Sequence, residues 1–204
     1  MNIEKQFKDS ETEYQAILNY IQEVHKGVYR RDTRIPYYVH PVRVANLVMS
    51  YRKQFVLDGV IITALLHDVL EDTSVSEEEI RDNWGTVILD RVLMLTLKDE
   101  EVSKVGKTQA LINAMMQMDE STLLIKLCDR LDNVTDFVFT DSKFAKKYMN
   151  ETLDILSTVE EEKKDLTLTH KKVINRIINM MDAAFQESSI FDAIDILKNG
   201  VSSL

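Results

Sequence analysis

At 204 residues the chain is sized for one domain around a single core. Only five glycines and two prolines exclude a turn-rich β architecture, and a net charge of −9 excludes a surface that coats nucleic acid. A lone cysteine, Cys128, excludes an internal disulfide framework; with no leader-like start and no apolar run near the roughly 20 residues of a membrane span, a cytoplasmic protein is expected.

Tyr14, Ile17, Leu18, Ile21 and Val24 recur at spacings of three and four, which predicts an amphipathic first helix ending near His25 to Gly27. The basic loop Tyr29-Arg30-Arg31-Asp32-Thr33-Arg34 leads to Pro36, whose ring disfavours helix at Ile35. His40-Pro41 reads as a helix start with proline in the first helical position, continued by Val42, Val44, Ala45, Leu47 and Val48. Asp58 is placed to cap a third helix, apolar nearly all round from Val60 to Leu66 and predicted to run on to about Asp72 through the centre of the domain. Ser76-Glu77-Glu78-Glu79 has the form of a capping box and opens a short helix ending near Trp84-Gly85. Further helices are predicted over 86–97, 107–118, 121–139, 143–162, 170–186 and 190–198, with no strand-like alternation between them. The expectation is an all-α bundle of roughly 9–11 helices, with a domain over 1–185 and a helical tail over 186–204 whose apolar side packs on the domain or on a second copy.

On the central helix His67, Asp68, Glu71 and Asp72 share an arc of about 140°. Four polar groups leaving an apolar helix together must be paired, bound to a metal or open to a cleft. An isolated His-Asp pair is usually a local arrangement at a helix end. Here it has company: His40 upstream, and Asp129, a charge closing the largely apolar run Leu123-Leu124-Ile125-Lys126-Leu127-Cys128. Imidazoles with carboxylates suit one divalent transition metal, Mn²⁺, Fe²⁺ or Zn²⁺, with positions left for water and substrate.

The order His40, His67-Asp68, Asp129 resembles that of the HD-domain metal-dependent phosphohydrolases. Three longer stretches narrow the likeness: Arg30-Arg31 with Pro36-Tyr37-Tyr38-Val39-His40-Pro41, Ala64-Leu65-Leu66-His67-Asp68-Val69-Leu70-Glu71-Asp72-Thr73, and Ile125-Lys126-Leu127-Cys128-Asp129-Arg130-Leu131-Asp132-Asn133. They are similar to the hydrolase domain of Rel/SpoT-type alarmone enzymes over roughly residues 10–160, in the form of a stand-alone small alarmone hydrolase.

That resemblance implies removal of pyrophosphate from the ribose 3′ position of ppGpp or pppGpp, usually with Mn²⁺. It implies His40, His67, Asp68 and Asp129 as metal ligands, and Glu71 and Asp72 as the acids that activate or position water. Arg31, nine residues before His40, would lie over the guanine ring. Asn133 would contact the nucleoside, and Lys104 and Lys107 the phosphates. Asp132 departs from the histidine or tyrosine often found there, which bears on base or sugar recognition.

Other features carry less. Gly106-Lys107-Thr108 ends like a phosphate-binding loop, but Glu101 stands where the first glycine is required. His25 matches a family histidine and is expected to support the loop; His170 is expected at the surface, and Cys128 as a small buried residue. The partner expected is a small nucleotide, with no nucleic acid and no membrane; self-association stays open. Two alternatives stand beside the leading one: the same site acting on another nucleotide, such as NADPH, a 3′-phosphorylated nucleotide or a deoxynucleoside monophosphate, and an alarmone-binding regulator without turnover.

Overall fold

The computed structural model describes residues 3–31, 34–136 and 142–183, with side chains from residue 11 onward and, in the last stretch, from 143. The chain is all-α: α1 (Ile3–Val24), α2 (Val39–Arg52), α3 (Gly59–Leu66), α4 (Val69–Asp72), α5 (Glu77–Trp84), α6 (Thr86–Leu95), α7 (Asp99–Val105), α8 (Lys107–Gln117), α9 (Glu120–Thr135) and α10 (Ser142–Glu162), followed by α11 over 168–183. Among the described residues the only extended pairing is one antiparallel bridge, Tyr29 to Pro36. None of their helices is long and apolar enough to cross a membrane. The 190–198 helix and the 186–204 tail lie outside the described residues.

The centre of the domain is α3, where Val60, Ile61, Thr63, Ala64, Leu65 and Leu66 are buried. It packs against α2, α6 and α1, and touches α9, which in turn packs on α2. Asp58 caps α3 as expected, accepting from the N–H groups of Val60 and Ile61 at 3.0 and 3.1 Å. α2, α3 and α9 therefore form one packed unit, and all the expected metal ligands lie on it or at its edge.

Three expectations are corrected. The central helix does not run unbroken to Asp72. His67 turns its Nδ1 onto the Ala64 carbonyl at 2.8 Å, the oxygen that a continuous helix would offer to the Asp68 N–H. Asp68 then sits at φ −105° and ψ −2°, in the sparsely used bridge region, before α4 begins. Pro41 is the third residue of α2, since Val39 is the first and Tyr38 precedes it. The capping box at Ser76 is half made: Ser76 Oγ accepts from Glu79 N at 3.1 Å, but the Glu79 carboxylate reaches α1 and accepts from Tyr20 Oη at 2.7 Å.

Gly85 and Gly106 separate α5 from α6 and α7 from α8 at φ of 84° and 82°, backbone that a side chain would strain. α7 has no buried residue and was not foreseen.

Candidate metal centre

His40, near the start of α2, His67 and Asp68 at the break between α3 and α4, and Asp129 on α9 are all buried. Their donor atoms converge. His40 Nε2 lies 3.2 Å from Asp129 Oδ1 and 3.4 Å from Asp68 Oδ2, and His67 Nε2 lies 3.0 Å from Asp68 Oδ2 and 3.8 Å from Asp129 Oδ1. Among the described residues, His40, His67 and Asp129 each offer one donor atom within 4.8 Å of the others, a span that one cation can bridge.

Each imidazole is oriented through its other nitrogen. With His67 Nδ1 on Ala64 O and His40 Nδ1 2.6 Å from Asp132 Oδ2, both Nε2 atoms face the cluster. That is how protein ligands are commonly held for a metal. His67 Nε2 is buried and has no hydrogen-bond partner, an orphaned nitrogen whose lone pair a cation would use.

The field of the cluster favours positive charge. Burial opposes a proton on His67, but Asp68 and Asp129 outweigh it and raise its pKa to about 9. Burial likewise opposes charge on His40, yet Asp129, Asp132 and Asp68 hold its pKa well above the usual histidine value. Burial pushes the Asp68 and Asp129 carboxyls up, and the two histidines, joined at Asp129 by Lys126, drive both well below the carboxylate range. A divalent ion would take the place of those imidazole protons, so the residues present fit the group.

The surrounding partners came from outside the sequence motifs' assigned roles. Tyr37 Oη donates to Asp68 Oδ2 at 2.8 Å, and its ring stacks on His25 with centroids 5.0 Å apart. Lys126, buried on α9, places Nζ 3.1 Å from Asp129 Oδ2. Asn133, one turn after Asp129 on α9, donates from Nδ2 to Asp129 Oδ1 at 2.6 Å, while its Oδ1 accepts from Arg30 at 2.9 Å. A lone lysine in an apolar run three residues before an aspartate was the one available signal for Lys126.

The acidic pair divides. Glu71 turns away and accepts from Leu97 N at 2.6 Å; burial raises its pKa, against the lowering by Lys126 and the Leu97 N–H. Asp72 instead lines a cavity of about 630 Å³ beside the cluster, together with Arg30, Arg31, Tyr37, Asn133, Asp136, Phe144 and Tyr148. Arg31 lies in that wall with its guanidinium 4.3 Å from the Phe144 ring centroid. Lys104 and Lys107 are exposed at the junction of α7 and α8 and do not line this cavity. His170 is corrected: it is 1% exposed, accepts from Thr167 N on Nδ1 and lies 2.9 Å from Glu120 O through Nε2.

A family model described as HD domain matches residues 18–161. The chain belongs to the HD-domain family. Over 158 residues it is 38% identical to the guanosine-3′,5′-bis(diphosphate) 3′-pyrophosphohydrolase of Aquifex aeolicus, covering 70% of this chain and 20% of that protein. Over 123 residues it is 30% identical to the guanosine-3′,5′-bis(diphosphate) 3′-pyrophosphohydrolase MESH1 of Drosophila melanogaster, covering 60% of this chain and 68% of MESH1. The chain thus spans about a fifth of the length of the bacterial relatives and two thirds of MESH1. A solved metazoan ortholog of SpoT, described as hydrolysing ppGpp, superposes with a TM-score of 0.65 at 24% identity, covering 80% of this chain and 94% of that one, and shares the fold. The likeness to Rel/SpoT-type hydrolases read from the motifs is borne out. HD-domain membership implies a divalent metal, and His40, His67 and Asp129 are grouped so that they could hold one.

Proposed function

We propose that this chain hydrolyses the 3′-pyrophosphate of guanosine tetra- or pentaphosphate, giving GDP or GTP and pyrophosphate, with one Mn²⁺ held by His40, His67, Asp68 and Asp129. The observation that carries this is the juxtaposition of a buried two-histidine, two-carboxylate cluster with a cavity that holds both Arg31 and Asp72. The names of the relatives from Aquifex aeolicus and Drosophila melanogaster support the substrate.

The metal, when bound, would polarise the phosphate and lower the pKa of water near it. The remaining work falls to this chain. Asp72, in the cavity wall, takes the proton as the water oxygen bonds to the phosphorus on ribose O3′. The P–O3′ bond breaks, and the departing 3′-oxygen takes a proton. Arg31, already stacked on Phe144, offers a flat cation on which a purine lies. Tyr37 and Lys126 hold Asp68 and Asp129 from the protein side. Glu71, fixed to Leu97 N, positions α4 and with it Asp72. Lys104 and Lys107 have a weaker place in this reading, because the phosphates would have to extend from the cavity to α7. A soluble nucleotide substrate fits a cytoplasmic site of action.

The test is a product assay. Purified protein with Mn²⁺ releases pyrophosphate from ppGpp, and His67→Ala abolishes release. No release by the metal-loaded wild-type chain overturns the assignment.

A further inference from the structure

Asp132 stands where the Rel/SpoT-type motif led to an expectation about base or sugar recognition, yet its carboxylate faces the other way. Its side chain is 5% exposed and lies 2.6 Å from His40 Nδ1. Arg43, one turn after His40 on α2, brings Nε to 2.7 Å from Asp132 Oδ1 and donates from Nη2 to Oδ2 at 2.9 Å. The same guanidinium donates to Asp136 Oδ2 at 2.8 Å, which accepts from Arg30 Nε at 3.0 Å. Arg30 donates to Asn133, and Asn133 donates to Asp129. A closed circuit of polar contacts therefore leaves the cluster at His40 and returns to it at Asp129.

A plain structural role for Asp132 would be to satisfy Arg43. Arg43, however, is 31% exposed and has Asp136 as a second acceptor, so it does not depend on Asp132. His40 is 1% exposed, and Asp132 is the acceptor on its Nδ1. A second carboxylate one turn from Asp129 on the same helix is also repelled by it, so the position is unfavourable unless the imidazole and Arg43 hold it.

We propose that Asp132 is a positioning residue of this metal site, acting on His40. It holds His40 with the proton on Nδ1 and the Nε2 lone pair turned to the metal, and Arg43 fixes the direction of its carboxylate. This rests on His40 holding the metal, as proposed above, and is independent of which nucleotide is cleaved.

The experiment uses the full chain without nucleotide. Nitrogen-15 NMR of the Zn²⁺-loaded wild type is expected to show His40 bound through Nε2 with a proton on Nδ1; coordination through Nδ1 overturns the proposal. Isothermal titration of Mn²⁺ then compares variants whose helicity matches wild type by circular dichroism. Asp132→Ala is expected to weaken binding by roughly 10–100-fold. Asp132→Asn, whose neutral amide keeps one acceptor oxygen to share between His40 and the Arg43 guanidinium, is expected to weaken it by about tenfold at the lower edge of that range. Arg43→Met, which leaves the His40 contact, is expected to lose less than either. Wild-type affinity in folded Asp132→Ala or Asp132→Asn overturns the proposal; if neither variant folds, the wild-type NMR result decides it. Absence of ppGpp hydrolysis alongside the expected NMR and titration results would refute only the substrate assignment, whereas no metal binding by the wild type would refute both.

Discussion

Asn133 donates to Asp129 at 2.6 Å across one turn of α9 while accepting from Arg30, so its amide is engaged at both ends. It orients the Asp129 carboxylate within the cluster and leaves only its outer edge to the cavity. Asn133→Leu removes a hydrogen bond to a charged group, worth about 1.5–3 kcal/mol. The Kd for Mn²⁺ is expected to rise roughly tenfold or more, read by titration calorimetry. An unchanged Kd with a raised KM would assign Asn133 to the nucleotide instead.

Metal removal is expected to be felt in stability as well as turnover. A cation that binds only the folded chain, at 100 times its Kd, stabilises by about 2.7 kcal/mol. For a domain of this size that corresponds to a rise in Tm on the order of 5–10 °C. Chelation should abolish pyrophosphate release and lower Tm by that amount, and added Mn²⁺ should restore both. Equal Tm values with and without Mn²⁺ would mean that the cluster does not bind it.

Lys126 opposes Asp129 at 3.1 Å inside the core, and Asp68 and Glu71 add further acid nearby. Lys126→Met keeps the length of the side chain and removes its charge. Breaking one side of a buried pair destabilises by about 3–5 kcal/mol. A Tm lower by on the order of 10 °C is expected in the metal-free protein. Saturating Mn²⁺ should recover part of the loss, because its charge sits beside the same carboxylate; thermal melts with and without metal decide this.

The candidate ligands stood out because each is a charged or imidazole group in or beside an apolar helical stretch, where a bland role would leave it unpaired. Helix positions were legible for the same reason, from the Ile17 and Ile21 stripe in α1 to the run through α9. Part of what escaped depends on contacts distant in sequence. Asp132 meets His40 from 92 residues away and Arg43 from 89. His170 is buried by the Glu120 carbonyl, 50 residues away. α7 escaped because Asp99–Val105 buries nothing and so carries no apolar stripe. The break after Leu66 escaped because it depends on where the His67 ring turns, which periodicity does not encode.

Cys128 adjoins the candidate ligand Asp129 but faces the core, at 0% exposure. Burial pushes its thiol pKa up, and Asp129 and Asp132 push it further, so thiolate is scarce at neutral pH. The native chain is expected to leave Ellman's reagent unreacted over hours, and to give one equivalent of thiol in denaturant. Rapid reaction of the folded protein would contradict this burial.

Asp58 joins two effects at the start of the central helix: its carboxylate caps α3 and pairs with Arg52 at 2.8 Å. Burial raises its pKa, but Arg52 and the N–H groups of Ile61 and Val60 outweigh that, so the folded value lies below the ordinary 3.8. A depressed carboxylate stabilises the fold above its unfolded pKa, and that contribution is lost as pH falls through the folded value. Asp58→Ala should therefore destabilise by about 1 kcal/mol at neutral pH, the usual loss for an N-cap. The gap to wild type should narrow only below 3.8. Urea melts of both proteins at neutral pH and down the acid limb test this, and a gap that widens on acidification would contradict the capping role.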